Sequence, residues 1–361
     1  MRLEPDIQEH VDRVITRSKT FYAAEEPGHY LVAANFPTPP SGVKIPPLYE
    51  FDLDVQLLER QGLQLEAARP ALEARRGLED DTIPALHPHF GVAEHSAWVG
   101  MEVLLQESTC LPIPLIEEPD DLDHIAFSED NRWFQYIKRC YDFLRERQDG
   151  TYVLGVRGTM MPMDIANALR GDALFMDFLA DPDFAHRLMA FCVDAVDWYY
   201  RRLRSWCDEL NGGHRFSFGG GWGGPDFLGH TSNDAAMLCG PDLYEEFGFP
   251  YEQRLLAGFG GCLYHIHNQH LHYVPRLAQL EKLSLLQVAH DPKTPRPLED
   301  LPRILEHTAE ANLMLAGSAE LWREHIDELS GRNVFCEVRC RDRAEAERMV
   351  AFIRERSKPL E

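Results

Sequence analysis

Residues 283–316 open with Leu283-Ser284-Leu285-Leu286-Gln287-Val288. A polar turn follows, then a helical pattern from Leu298 to Ala311, then Leu313-Met314-Leu315-Ala316. Two short apolar runs separated by a helix-length segment read as parallel strands, because a parallel crossover needs a dozen or more residues. The same alternation extends in both directions. Upstream, Cys262-Leu263-Tyr264-His265-Ile266, Arg215-Phe216-Ser217-Phe218 and Tyr152-Val153-Leu154-Gly155-Val156 read as buried strands, and downstream so does Val334-Phe335-Cys336-Glu337-Val338. Tyr30–Ala34 and a run near Ile83–Leu86 bring the number of strands to eight. Helical patterns run from Asp183 to about Asp208, Pro241 to Leu256 and Arg343 to Arg356, with N-terminal helical elements over 1–29 and about 49–76. Eight βα units in a chain of this length predict an α/β fold, a (β/α)8 barrel with an N-terminal helical extension, forming one domain over 1–361. A doubly wound open sheet is the alternative. Against it, no G-x-G-x-x-G opens a helix after the first strand.

The 361 residues carry 36 Lys and Arg against 59 Asp and Glu, a net charge of −23. A surface this acidic repels phosphate backbones and anionic lipid, which argues against nucleic-acid or membrane partners. With 44% hydrophobic residues the chain is too apolar to be disordered. No stretch approaches the ~20 apolar residues of a membrane span. The N-terminus Met1-Arg2-Leu3-Glu4-Pro5 lacks the apolar core of a secretion signal, and the eight scattered Cys form no disulfide framework, so a reducing cytoplasm is expected.

In a barrel, chemistry sits at the C-terminal ends of the strands. The residues just past the expected strands include Asn35, His87, His89, Arg157, the glycines 219–224, His265, His267, His290, Asp291, Ser318 and Cys340. Four His fall in Leu263-Tyr264-His265-Ile266-His267-Asn268-Gln269-His270-Leu271-His272. In an extended segment His265 and His267 point the same way and can face one metal ion, with Cys336, Glu337 or Cys340 as a further donor. The plain alternative is a His-rich loop that only contacts substrate. His87 and His89 flank Pro88 and suit acid–base work or substrate contact near neutral pH. Arg157, followed by Gly158, points to a substrate carboxylate or, equally, to a salt bridge. Gly219-Gly220-Gly221-Trp222-Gly223-Gly224 reads as a mobile lid with Trp222 closing over substrate. Asn233 and Asp234 supply an amide and a carboxylate, although Asp234 also suits the cap before Ala235-Ala236-Met237. No G-x-S-x-G, H-E-x-x-H or C-x-x-C is present, so serine hydrolase, zincin and thioredoxin chemistry have no motif support.

Several of these segments resemble the uroporphyrinogen decarboxylase superfamily, which includes corrinoid-dependent methyltransferases. Gly155-Val156-Arg157-Gly158-Thr159 through Leu169-Arg170-Gly171 and Phe175 to Phe184 is similar to the family's third βα unit. Ser232-Asn233-Asp234 through Gly240-Pro241-Asp242-Leu243-Tyr244-Glu245-Glu246-Phe247 and Pro250-Tyr251 resembles its acidic turn and following helix. The family fold is a (β/α)8 barrel. The decarboxylase's Arg-rich motif after the first strand is replaced here by Asn35-Phe36-Pro37-Thr38-Pro39-Pro40, which argues against a polyanionic tetrapyrrole. The methyltransferase branch implies zinc held by His265, by His267 in place of the family's middle Cys, and by Cys340, activating a thiol or hydroxyl. It also implies a corrinoid on a partner protein, since this chain has no D-x-H-x-x-G module. The resemblance further implies a homodimer. His87, His89 and Asp234 would do catalytic work, and Asn35, Arg157, Trp222, Asn233, His290 and Asp291 would bind a small-molecule substrate. A metal-free carboxy-lyase using Asp234 and a non-catalytic ligand-binding barrel are the other readings.

Overall fold

The computed structural model describes residues 2–360. Its strands are β1 Tyr30–Asn35, β2 Ala85–Leu86, β3 Val103–Leu105, β4 Cys110–Pro112, β5 Val153–Leu154, β6 Thr159–Met160, β7 His214–Arg215, β8 Trp222–Gly223, β9 Phe227–Ser232, β10 Gly261–His267, β11 Leu283–Ala289, β12 Leu313–Ser318 and β13 Val334–Arg339. Seven of them form one sheet in the order β1-β13-β12-β11-β10-β9-β6, and every neighbouring pair is parallel. The first strand therefore lies beside the last, and helices fill the crossovers.

The alternating side chains of these strands explain the layering. Leu31 and Ala33 of β1, Phe335 of β13, Met314 of β12, Leu285 of β11, Leu263 of β10 and Phe227 of β9 share one buried cluster with Phe216. Their neighbours Val32, Cys336, Leu315, Leu286 and Tyr264 face the other way, into the larger cluster under the helices. Two residues further along the inward face come His265, Gln287 and Glu337, so the polar layer sits on an apolar floor. Phe21, from the helix Pro5–Ala23, joins the inner cluster and closes it from below.

The expected eight-strand ring is only partly formed. β1 and β6 are the ends of the seven-stranded sheet. The runs near Ile83–Leu86 and Tyr152–Val156 shrink to the two-residue pair β2–β5, and of Arg215–Phe218 only Arg215 enters β7, in an antiparallel hairpin with β8, while Phe216 makes a single parallel bridge to Val156. Pro84, Gly155, Gly158 and the glycines 219–224 interrupt the ladder here. What crosses the gap is side chain as much as backbone. The Asp81 amide donates to the Val32 carbonyl at 2.6 Å, the Asp81 carboxylate accepts from Val32 N at 2.8 Å, and the Asp80 carboxylate accepts from Ala34 N at 3.0 Å. Arg17 and Arg75 neutralise the two acids at 2.6 and 2.5 Å. All eight Cys are free and buried. Among the described residues no helix is long and apolar enough to cross a membrane.

Candidate active site

The site begins at Glu337 on β13. Its buried carboxylate accepts from Gln287 Nε2 at 2.9 Å, which turns Gln287 Oε1 toward His265 Nδ1 at 2.7 Å. An amide oxygen only accepts, so His265 carries its proton on Nδ1 and presents a bare Nε2. On the same strand, His267 Nδ1 lies 2.9 Å from Asp291 Oδ1, although not aligned as a good hydrogen bond. The Asp291 carboxylate also accepts from Gln269 N at 3.1 Å. His267 Nε2 then faces His265 Nε2 across 3.3 Å. Burial pushes the His265 pKa down, against the Gln287 contact, so the ring favours its neutral form. Burial likewise raises the Glu337 pKa, with Gln287 opposing the shift.

His230, on β9 in register with Leu263, stands beside this pair. Its ring is 5.6 Å from that of His265 and stacks at 3.8 Å on Phe218, and both of its ring nitrogens are buried without a partner. Phe218 has a left-handed backbone, φ 56°, which is costly for a bulky residue and is held by the glycine-rich hairpin around it. Burial first, and then His265, His95 and Arg157, hold the His230 pKa well below its ordinary value.

A second group lies around buried Glu94. Its carboxylate accepts from the amides of Phe90 and Gly91 and is paired with Arg157 Nε at 2.5 Å. Burial opposes ionisation, but Arg157, His95 and His89 overcome it and the pKa is held at about 2. Arg157 Nη2 lies 3.3 Å from His89 Nδ1. Arg157 is thus engaged by an internal acid, the salt-bridge reading of this residue in a buried form. His87, beside it, hydrogen-bonds the Pro88 carbonyl at 2.9 Å and has its pKa pushed down to about 3, by burial and then by Arg157 and Arg215.

Asp234 and Asn233 divide their roles differently from the expectation. Asn233 Oδ1 accepts from Ala236 N at 3.2 Å, and the buried Asp164 carboxylate takes the amides of Asp234 and Ala235 at 3.0 and 2.6 Å. The capping is therefore done by Asn233 and Asp164, and the exposed Asp234 carboxylate is left unclaimed near His265. The other end of Asn233 donates to Glu252 at 2.5 Å. Burial, and then Asp234, raise the Asp164 pKa.

Several expectations need correction. Asn233 is fully buried with both amide ends engaged, so it holds the turn and does not meet substrate. Trp222 is no lid: its ring is buried against the N-terminal helix, with Nε1 donating to the Leu210 carbonyl at 2.7 Å. Cys340 cannot join the histidines. It continues the outward-facing, even-numbered positions of β13, packs under the helices near Glu345 and Arg323, and burial pushes its thiol up to about 11. Asn35 ends β1 at the rim, exposed, and His290 is exposed with Nε2 at 3.0 Å from the Thr294 carbonyl. Gln287 and His230 escaped the sequence reading. For Gln287 the signal was a polar residue on the inward parity of a buried strand, whereas His230 reaches that face only through the register shift after Phe227.

No protein-family model matches this chain, and no curated protein matches its sequence. A solved structure shares its fold. It is a methyltransferase from Methanosarcina mazei, superposing with a TM-score of 0.58 at 12% identity over 95% of this chain and 98% of that one. At that identity the likeness concerns the fold. Among the described residues no three His, Cys, Asp or Glu side chains gather as a metal cluster. The His265–His267 pair nevertheless suits one edge of a metal site. Two nitrogens each ~2.0–2.1 Å from a tetrahedral zinc stand roughly 3.3 Å apart, and the His265 ring is oriented by its Nδ1 partner Gln287.

Proposed function

We propose that this chain is a barrel-type methyltransferase. In this reading His265 and His267 hold a zinc ion, and a methyl group moves to or from a small thiol or hydroxyl with a corrinoid carried by a separate protein. The observation that carries the reading is the pair of Nε2 atoms facing each other at 3.3 Å, that of His265 bare. Two lone pairs at that distance repel unless a proton or a cation lies between them. The fold shared with a methyltransferase gives it support of a general kind.

Zinc bound there would supply Lewis acidity and lower the pKa of a coordinated thiol or hydroxyl. Glu337 acts through Gln287 to keep the proton of His265 on Nδ1. Asp291 adds negative charge behind the His267 ring. Phe218 and His230 wall the pair from the hairpin side and limit water. The unclaimed Asp234 carboxylate favours a second reading, a metal-free lyase in which it stabilises a protonated intermediate.

The test is elemental analysis of untagged protein after zinc loading, beside a His265→Ala/His267→Ala variant. Methyl transfer from methylcobalamin to a thiol panel is followed in parallel by absorbance. Stoichiometric zinc that the variant loses, together with thiol methylation, supports the first reading. A folded wild type that holds no zinc and methylates no thiol overturns it. Activity abolished only by Asp234→Asn would then favour the second.

A further inference from the structure

The seam between β1 and β2 opens into a cavity of about 690 Å³ that runs inward to Glu337 and Phe218. We propose that this cavity is an anion subsite in which the carboxylate of a small organic acid docks on Arg215.

Five arginines line the cavity: Arg13, Arg69, Arg75, Arg76 and Arg215. The first four each pair with a carboxylate, of Glu9, Asp149, Asp80 and Asp6 respectively. Arg215 does not. Among the described residues its guanidinium has no acidic partner, and Nε and Nη1 are shut off from water without an acceptor. A charged group in that state is costly, and proteins tolerate it where a ligand completes it. Burial lowers its pKa to about 10, where it is still charged at neutral pH, and the ionised side chains that disfavour the charge, Arg75 and Arg157, have the same sign.

The chain also reserves room for this side chain. A Cβ on Gly155 would stand 2.9 Å from Arg215 Cδ, and one on Gly220, at φ 74°, would stand 3.1 Å from Nη2. The Nη2 edge thus has room beside Gly220 and Thr82, both of which line the cavity. A carboxylate is favoured over a phosphate by the surrounding acids. Asp80 and Glu337 also line the cavity, and a dianion would be repelled about twice as strongly as a monoanion. This inference does not need the metal reading, since the subsite uses neither histidine.

The experiment measures binding of acetate, lactate and inorganic phosphate to the full chain by calorimetry, with melting temperatures in parallel, for wild type, Arg215→Met and Arg215→Lys. Lactate, a monoanion, should bind wild type and raise its melting temperature, and Arg215→Met should weaken binding roughly 10- to 100-fold, the worth of a charge-assisted contact. Without ligand, Arg215→Met should melt no lower than wild type, because an uncompensated buried charge has been removed. Arg215→Lys keeps the charge, folds if the methionine variant does not, and should bind more weakly than wild type because it lacks the planar fork. Equal lactate binding by all three proteins overturns the proposal, as does stabilisation by phosphate with none by either carboxylate. Zinc content is read on the same samples. It should be unchanged in Arg215→Met, so a failure of the metal reading is seen separately.

Discussion

The two halves of the wall around the site are built differently. From β9 round to β1 the strands are six or seven residues long, their ladders are parallel, and the inner face is an apolar floor. From residue 80 to 160, with the hairpin 214–223, strands are two or three residues long, and buried charges take over part of the work. Asp80 with Arg75, Asp81 with Arg17 and Glu94 with Arg157 all lie in this second half. The regular half can hold two imidazoles at a fixed spacing because its backbone is tied by hydrogen bonds on both sides. The irregular half leaves a cavity and a charged lining. Rigid presentation and ligand access are thus assigned to different arcs of one wall.

That contrast can be broken or sharpened by experiment. The largest effect is expected in the irregular half. Arg157→Met leaves Glu94 buried without its counter-charge and should cost about 3–5 kcal/mol in urea unfolding. A cost below about 1 kcal/mol would mean that the charges there are decoration. In the regular half, Met314→Ala empties part of the inner floor and should cost about 2 kcal/mol, the low end for such truncations, because Gly219 lies against the Met314 methyl and can settle into the gap. Glu337→Gln should barely alter stability yet weaken zinc binding about 10- to 100-fold in a chelator competition, because Gln287 is no longer held the right way round. Unchanged affinity would show that the tautomer of His265 is fixed by something else.

The smallest effect is one of slope. Burial pushes the pKa of His95 down to about 4, and that of His87 to about 3. A histidine whose folded pKa is depressed contributes stability that is present above the unfolded value of about 6.5 and lost as pH falls through the folded value. Glu94, held at about 2, adds a loss that begins only below about 4.3, the unfolded carboxyl value. Stability should therefore fall between pH 6.5 and 4 before any Glu94 contribution. His95→Gln should flatten that limb of the denaturant midpoint against pH, and an unchanged limb would remove His95 from the account.

How much the sequence revealed follows the same division. The β10 to β13 and β1 runs were readable to within a residue or two, because a parallel sheet covered on both faces leaves an apolar run between turn signals. The alternation placed His265 and His267 on one face. The helix Arg132–Glu146 and the β3–β4 hairpin went unread, since the first is rich in Arg and aromatics and the second is three residues a side. The irregular wall misled in a specific way. Phe216 does pair in parallel with Val156, as its strand-like composition implies, but the glycines after Phe218 fold the chain back, so that His214–Arg215 also joins a hairpin and Trp222 is buried against the N-terminal helix. Cys340 was read as a donor from its place in the chain, whereas the period of two along β13 assigns the inward role to Glu337.

The two aspartates beside β1 have one more implication. A backbone ladder is common property of every residue in a strand, and no single substitution removes it. Where Asp80 and Asp81 stand in for a neighbouring strand, the wall is fastened by buttons instead of woven. Evolution, or an engineer, can unfasten it one residue at a time and widen this doorway while leaving the opposite wall untouched.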